Sequence, residues 1–386
     1  MVKRANGEGS INRYKNGWRG TITVGRSSDG KLIRKQFYGK TKTEVINKID
    51  DFKSKNTLGL STIDTNITVQ QWIKVWLQEY KVNECRLSTM ERYYGIYNNY
   101  IKDNDVGIVK LKELKPSNIQ IYYNNLIKNK DKSPETIKMI NKVLSGAFKQ
   151  AKNEQYILKN PCEYITLPKC NNKKEILVFS KDEQREFIKV IENSRDRCLY
   201  YLALGTGLRL GELLGLKWSD IDLENGQLNV ARSVRRVKII DKETIGKSKI
   251  IQQAPKTRYS MRTVPLPSRI IIELKRHRNI INKEKLKAGE IYNDNDLVFA
   301  NELGGFIDAR NITKRYKTVL KKANIEYRKF HSLRHTYATR LFENGVSLKV
   351  VQVLLGHSSM EITANIYTHV LPQEKIVAVD LIDSCL

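Results

Sequence analysis

His331-Ser332-Leu333-Arg334-His335, then Leu354-Leu355-Gly356-His357 and, ten residues on, Tyr367: this stretch decides how the rest of the chain is read. It brings histidines, an arginine and a tyrosine together over a short span. Tyrosine is a poor nucleophile at neutral pH, because its ordinary pKa is about 10. Nearby guanidinium groups lower that barrier and offset charge developing on phosphorus oxygens, which arginine grips in a bidentate fork. His331, Arg334 and His335 stand at i, i+3 and i+4, one face of a helix. Buried together without an anion, they would be costly. The pattern points to attack by a tyrosine hydroxyl on a phosphodiester. Such chemistry also needs help in removing the nucleophile's proton and a general acid for the leaving 5′ oxygen.

Blander readings fail one at a time. His331 and His335 alone suggest a zinc site of the H-x-x-x-H kind, but Ser332 replaces the glutamate and Arg334 would repel a cation. Gly356-His357 alone reads as a helix-capping glycine and a solvated histidine. A lone Tyr367 is ordinarily structural. The ordered set outweighs these.

Composition agrees. Across 386 residues, 69 Lys+Arg stand against 41 Asp+Glu, a formal charge of +28 that calls for a polyanionic partner. Nucleic acid is the expected polyanion and no membrane is expected as partner, an anionic membrane surface being the blander rival; no run of ~18 apolar residues predicts a transmembrane helix. The basic N-terminus lacks the apolar stretch of a secretory signal. Five cysteines, scattered and never in CxxC spacing, fit a reducing cytoplasm rather than a disulfide framework.

The expected fold class is α+β and multidomain: an N-terminal three-stranded β-sheet plus helix over residues 1–58, a helical bundle over 66–165, and a mixed, mainly α domain with a small β-sheet over 175–386. Strands are expected at Ile11–Tyr14, Trp18–Val24 and Leu32–Tyr38, with turns at Asn16-Gly17 and Asp29-Gly30. A helix follows from Lys42 to about Lys53, with Val45, Ile46, Ile49 and Phe52 inward. Val69, Trp72, Ile73, Trp76, Leu77 and Tyr80 share a helical face. Ser88 with Glu91 reads as a capping box. Pro116 opens a helix with Ile119, Tyr123, Leu126 and Ile127 inward, and Ser133-Pro134-Glu135 opens another. The bundle's tyrosines and tryptophans read as core. Linkers are expected at Gly59–Asn66 and Thr166–Phe179, and Ser180 with Glu183 starts the last domain.

Upstream of the closing motifs, Arg209 in GTGLRLGELLGL lies at the start of a short helix, with Glu212 on the same face. In their order, GTGLRLGEL, HSLRH, LLGH and NIYTHV resemble the tyrosine recombinase (integrase) family, with the tightest match in the C-terminal third. The resemblance implies that Tyr367 is the nucleophile forming a 3′-phosphotyrosyl link. Arg209 and Arg334 would clamp the scissile phosphate, His331 would assist proton transfer, and His357 would hydrogen-bond a phosphate oxygen. Lys256, in APKTRYSMRTVPL, would protonate the leaving oxygen; Lys247 and Lys249 are its rivals. His335 is supporting or structural, and the family's acidic residue is either Glu212 or Asp220.

The resemblance further implies a site-specific DNA recombinase that integrates and excises a phage or conjugative transposon. It would act without cofactor or metal as a bacterial, nucleoid-associated protein. Arm-binding, core-binding and catalytic domains would follow one another along the chain. Its partners would be double-stranded DNA, at core and arm sites, and three further copies. The apolar cluster Ile376, Val377, Val379, Leu381 and Ile382 in the C-terminal tail either folds back on its own domain or, the favoured reading, docks on a neighbour and joins the four copies. An excisionase and a host DNA-bending protein are accessory partners in that reading. A relaxing type IB topoisomerase shares the constellation, and a catalytically silent DNA-binding regulator is a further class; the flanking modules and the intact side chains disfavour them. The basic stretch Ser233–Arg262 is either a DNA-hugging hairpin or a flexible insertion.

Overall fold

In the computed structural model, which describes residues 10–26, 32–57, 66–169, 177–240, 245–254 and 261–367, the chain divides into two units, Met1–Asn171 and Asn172–Leu386. The first opens with an antiparallel meander of β1 (Ser10–Tyr14), β2 (Gly17–Arg26) and β3 (Leu32–Gly39). Its first turn is Lys15-Asn16, one residue earlier than expected: Tyr14 pairs with Gly17, and Lys15 takes a left-handed φ of 48°. Gly17 answers a different need, since a Cβ there would lie 2.6 Å from the Gly39 carbonyl oxygen. The Asp29-Gly30 turn lies outside the described residues.

Helix α1 (Lys42–Thr57) lays Val45 and Ile49 on Ile22, with Trp18, Phe37 and Phe52 around them. Ile46 is only partly buried.

The bundle begins where Thr68 and Gln71 form a capping box for α2 (Val69–Val75). The expected face is buried through Leu77, while Tyr80 is half-buried. From Trp76 to Lys81 the helix widens into a π turn, as it does at Tyr97–Ile101 after α3 (Leu87–Ile96). Helix α3 corrects the Ser88–Glu91 expectation: it starts at Leu87 with Arg86 as N-cap and no side-chain cap, so Ser88 lies inside the first turn. Pro116 and Pro134 open α4 (Pro116–Lys128) and α5 (Pro134–Asn153), the latter capped by Ser133. The buried stripe of α4 matches expectation, except that Tyr122 is buried where Ile127 is only partly so. Trp72 donates its indole N–H to the Ala147 carbonyl at 2.8 Å, which satisfies the polar edge of a core aromatic.

The second unit starts at the Ser180–Glu183 capping box of α6 (Lys181–Ile191). Then come α7 (Arg197–Thr206), α8 (Leu210–Leu214), and a three-stranded sheet of β4 (Ile221–Asp222), β5 (Gln227–Val230) and β8 (Arg262–Pro265) in that order. Between β5 and β8 an antiparallel hairpin, β6 (Ser233–Ile240) with β7 (Ile245–Gln253), pairs with itself. Thus the basic stretch is ordered as a hairpin over its described part, tethered where Arg236 meets Asp308 at 2.7 Å. Helices α9 (Ser268–Ala288) and α10 (Ala309–Lys322) follow, then α11 (Ser332–Glu343), α12 (Leu348–Leu355) and α13 (Met360–Tyr367). A large core holds Leu199, Leu213, Leu228, Val264, Tyr316 and Leu333. A smaller one joins Ala338, Phe342, Val351, Leu355 and Ile366, with Tyr367 against it. No described helix is long and apolar enough to cross a membrane.

Sheet and helix touch most closely at Gly20, where an added Cβ would stand 2.4 Å from Ile49 Cδ1 and 2.7 Å from Val45 Cγ1. Overpacking of this kind costs about 1–3 kcal/mol, a large share of what so small a core supplies. Gly20→Val is therefore expected to abolish amide exchange protection in β2, β3 and α1 while leaving α5 unchanged. Unaltered protection in β2 and β3 would refute the packing account.

Candidate active site

Arg334 is the centre of the site. It sits in the first turn of α11, is 1% exposed, and among the described residues has no carboxylate bonded to it. Its Nη1 donates to the Gly207 carbonyl at 2.8 Å and its Nη2 to the Leu355 carbonyl at 2.6 Å. These carbonyls belong to the ends of α7 and α12, where helix dipoles favour a cation. Both helices close on a left-handed glycine, Gly207 at φ 62° and Gly356 at φ 66°. A Cβ on Gly207 would run into Tyr337 and Leu355 at 2.5 and 2.8 Å, so this glycine serves the packing of the two helix ends. Among the described residues the Nε of Arg334 has no hydrogen-bond partner.

Arg209 immediately follows the α7 cap turn, as the N-cap of α8. Its Nη1 donates to Glu212 Oε1 at 2.7 Å and its backbone N–H to Glu212 Oε2 at 3.0 Å. The same Oε2 accepts from Arg262 Nη2 at 3.0 Å, and Arg262 Nε donates to the Leu354 carbonyl at 2.7 Å. Two arginines thus hold two adjacent carbonyls at the end of α12. Of the two candidate acidic residues, Glu212 stands among these guanidiniums, whereas Asp220 pairs with Arg232.

His357 follows Gly356 and is buried. Its backbone N–H donates to the Gln352 carbonyl at 3.2 Å, its carbonyl accepts from Gln352 Nε2 at 3.1 Å, and its Nδ1 lies 2.9 Å from Thr363 Oγ1. His331 is the N-cap residue of α11, with an exposed edge, and meets the His335 ring edge-on at 4.7 Å. Tyr367 ends α13, half-buried, its ring 4.9 Å from Phe342 at 67°. Lys256 lies outside the described residues, as do the tail and the Lys247 side chain; Lys249 is exposed on β7.

The site is cationic and tuned accordingly. Burial first, then Arg334, Arg209, His331 and His335, push the His357 imidazole down to about 3, so it is neutral at pH 7. Desolvation, then His335, Arg334 and Arg209, likewise hold His331 down, to about 4. Burial works to raise the Glu212 pKa, but Arg262 and Arg209 outweigh it and the carboxylate stays ionised.

Arg262 and Thr363 were not singled out by sequence reasoning. Arg262 shares the inward face of β8 with Val264, and a charge on the apolar face of a strand was the available signal. Thr363 stands four residues before Tyr367, on the same side of α13.

Residues 178–374 match the model of the phage integrase family, and residues 68–127 match that of the phage integrase N-terminal SAM-like domain. The chain is 46% identical to a tyrosine recombinase XerC-like protein of Caldanaerobacter subterraneus subsp. tengcongensis, over 96% of this chain and 98% of that one. It is 27% identical to the transposase from transposon Tn916 of Enterococcus faecalis, over 70% and 66%. Among solved structures, the Tn1549 transposon integrase in complex with transposon right end DNA superposes with a TM-score of 0.65 at 21% identity, covering 78% of this chain and 95% of that one. A lambda integrase tetramer bound to a Holliday junction gives 0.57 at 19%, over 94% and 96%. At these identities the structural likeness speaks for the fold.

The histidine chemistry has a pH signature. An imidazole that takes up a proton near 6.5 when unfolded but only near 3 when folded lets the unfolded state bind protons first. The contribution of His357 to stability is therefore full above about pH 6.5 and is lost as pH falls. Calorimetry from pH 7.5 to 5 should show a falling Tm, with a shallower fall in His357→Gln. Equal slopes in the two proteins would contradict the assignment.

Proposed function

This chain belongs to the phage integrase family of tyrosine recombinases, enzymes that break and rejoin DNA at specific sites, and we propose that Tyr367 is its nucleophile. In this reading the Tyr367 hydroxyl oxygen attacks the scissile phosphorus. A 3′-phosphotyrosyl bond forms, the bond to the 5′ oxygen breaks, and that oxygen leaves as a hydroxyl. His331, neutral at pH 7, assists removal of the phenolic proton, and Lys256 supplies the proton to the leaving oxygen. Arg209 and Arg334 clamp the non-bridging oxygens and His357 hydrogen-bonds one of them. Donors fixed in place before reaction stabilise the developing charge without reorganisation. A 5′ hydroxyl of another strand then attacks the phosphotyrosine and reseals the backbone. One diester-like bond is exchanged for another, so the cycle balances without ATP.

The observation that carries this reading is the Arg334 guanidinium, which ties the turn before Arg209 to the helix end before His357. Its Nε–H, without a partner among the described residues, is the donor this reading assigns to an anion.

We propose further that the chain works as three domains, arm-binding (1–58), core-binding (66–165) and catalytic (175–386). The β1–β3 sheet presents Arg13, Arg19, Arg34 and Lys35 at its surface, with Arg19 4.8 Å over the Tyr14 ring, a composition suited to a DNA groove. Four protomers, joined through residues beyond Tyr367, would integrate or excise a phage or conjugative transposon through a Holliday junction in the bacterial cytoplasm, with an excisionase and a host DNA-bending protein as accessory factors.

A nicked suicide duplex carrying the recombination site tests the chemistry. Wild type is expected to accumulate a covalent protein–DNA adduct that Tyr367→Phe cannot form, and Arg209→Lys is expected to slow adduct formation by about 10² or more. An adduct that survives Tyr367→Phe would overturn the nucleophile. Deleting residues 373–386 is expected to reduce cooperative assembly on DNA, read by gel shift; undiminished assembly would exclude the tail as the joint.

A further inference from the structure

The hydroxyl of a helical threonine ordinarily turns back on the carbonyl four residues earlier. Thr206, Thr313, Thr318 and Thr336 do this, at 2.5, 2.9, 3.3 and 2.9 Å. Thr363 does something else: fully buried in α13, its Oγ1 lies 2.9 Å from Nδ1 of His357. Two arrangements fit that distance. Either the ring donates Nδ1–H to the hydroxyl, or the hydroxyl donates to a bare Nδ1. They differ in what remains on the far side of the ring. In the first, Nε2 carries only a lone pair, which would repel a phosphate oxygen. In the second, Nε2 carries the hydrogen and can donate to one. A protonated ring would carry both hydrogens, but in this cation-rich, desolvated setting the ring stays neutral at pH 7. The tautomer therefore decides whether His357 can serve a phosphate at all.

We propose that Thr363 is a positioning residue that donates its hydroxyl hydrogen to Nδ1 of His357 and so holds the ring in its Nε2–H tautomer. The proposal rests on the reading of His357 as the phosphate-oxygen donor. The same bond has a second effect. Thr363 stands one helical turn before Tyr367 on the same side of α13. Gln352 fixes the backbone of His357 from α12 through both its N–H and its carbonyl. The ring therefore spans from α12 to the helix carrying the tyrosine, and sets the register of one against the other. Removing the hydroxyl loosens the tautomer and that register together.

The chain holds five histidines, few enough for selective ¹⁵N labelling and assignment by single substitution. Two-bond ¹H–¹⁵N spectra of the free protein at pH 7 are expected to show His357 as the Nε2–H tautomer. Thr363→Val, nearly the same shape without the hydroxyl, is expected to give a mixture or the opposite tautomer, and Thr363→Ser to restore the wild-type pattern. Single-turnover cleavage of the suicide duplex is expected to slow on the order of tenfold or more in Thr363→Val, as for other outer partners of a functional histidine. DNA affinity should stay within about twofold, because bulk phosphate contacts are untouched. In a His357→Ala background the valine substitution should add nothing.

An Nδ1–H tautomer in wild type, or one unaltered by Thr363→Val, overturns the proposal; the wild-type spectrum decides this even if the valine variant does not fold. A shifted tautomer with unimpaired cleavage upholds the role of Thr363 and overturns instead the phosphate role of His357.

Discussion

One buried guanidinium organises the catalytic unit. Arg334 reaches across 127 residues of sequence to Gly207 and 21 residues forward to Leu355, and everything proposed for catalysis hangs from those two carbonyls. A hydrogen bond from a charged donor contributes about 1.5–3 kcal/mol. An arginine stripped of such partners in an interior costs several kcal/mol. The fold therefore has a strong reason to keep both helix ends where they are, and with them Arg209 and His357. Left-handed glycines make this possible, because a side chain at Gly207 would wedge Tyr337 and Leu355 apart before the carbonyl arrived.

Arg262 extends the same logic. By holding the Leu354 carbonyl while Arg334 holds that of Leu355, it pins the end of α12 at two successive peptide units. Its other arm meets Glu212, which in turn holds both the side chain and the backbone N–H of Arg209. Strand β8, helix α8 and helix α12 are thus linked through Arg262 and the one carboxylate it meets. A carboxylate pulled below its usual range by two arginines is a reliable anion around neutrality, so the link does not switch within the working pH range.

Much of this was legible in sequence because the key groups sit in short contiguous motifs. HSLRH, LLGH and GTGLRLGEL each hold a functional side chain beside the glycine or helix pattern that places it, and local periodicity is what a sequence shows best. The bundle's apolar stripes were readable for the same reason. Long-range pairings left no such trace. Arg262 meets Glu212 from 50 residues away and Leu354 from 92, and only its place on the apolar face of β8 marks it out. Thr363 looked like an ordinary helical threonine until its ring partner was visible. The misplaced cap at Ser88 has another cause: Ser88-x-x-Glu91 has capping-box spacing, but the helix had already begun at Leu87. The first hairpin turn slipped by one residue because Gly17 answers to β3 and not to the turn.

The gathering of three guanidiniums, Arg209, Arg262 and Arg334, around a single carboxylate has a thermodynamic corollary. Without DNA, their mutual repulsion is only partly offset, and the native state holds that unrelieved energy at its centre. In the reading proposed for Arg209 and Arg334, a bound phosphate would supply the missing negative charge. By linkage, whatever binds only the folded form raises its stability in proportion to the logarithm of its concentration over Kd. On that reading the substrate would act as a structural component of this unit, and the protein would be more robust on its target than when searching for it.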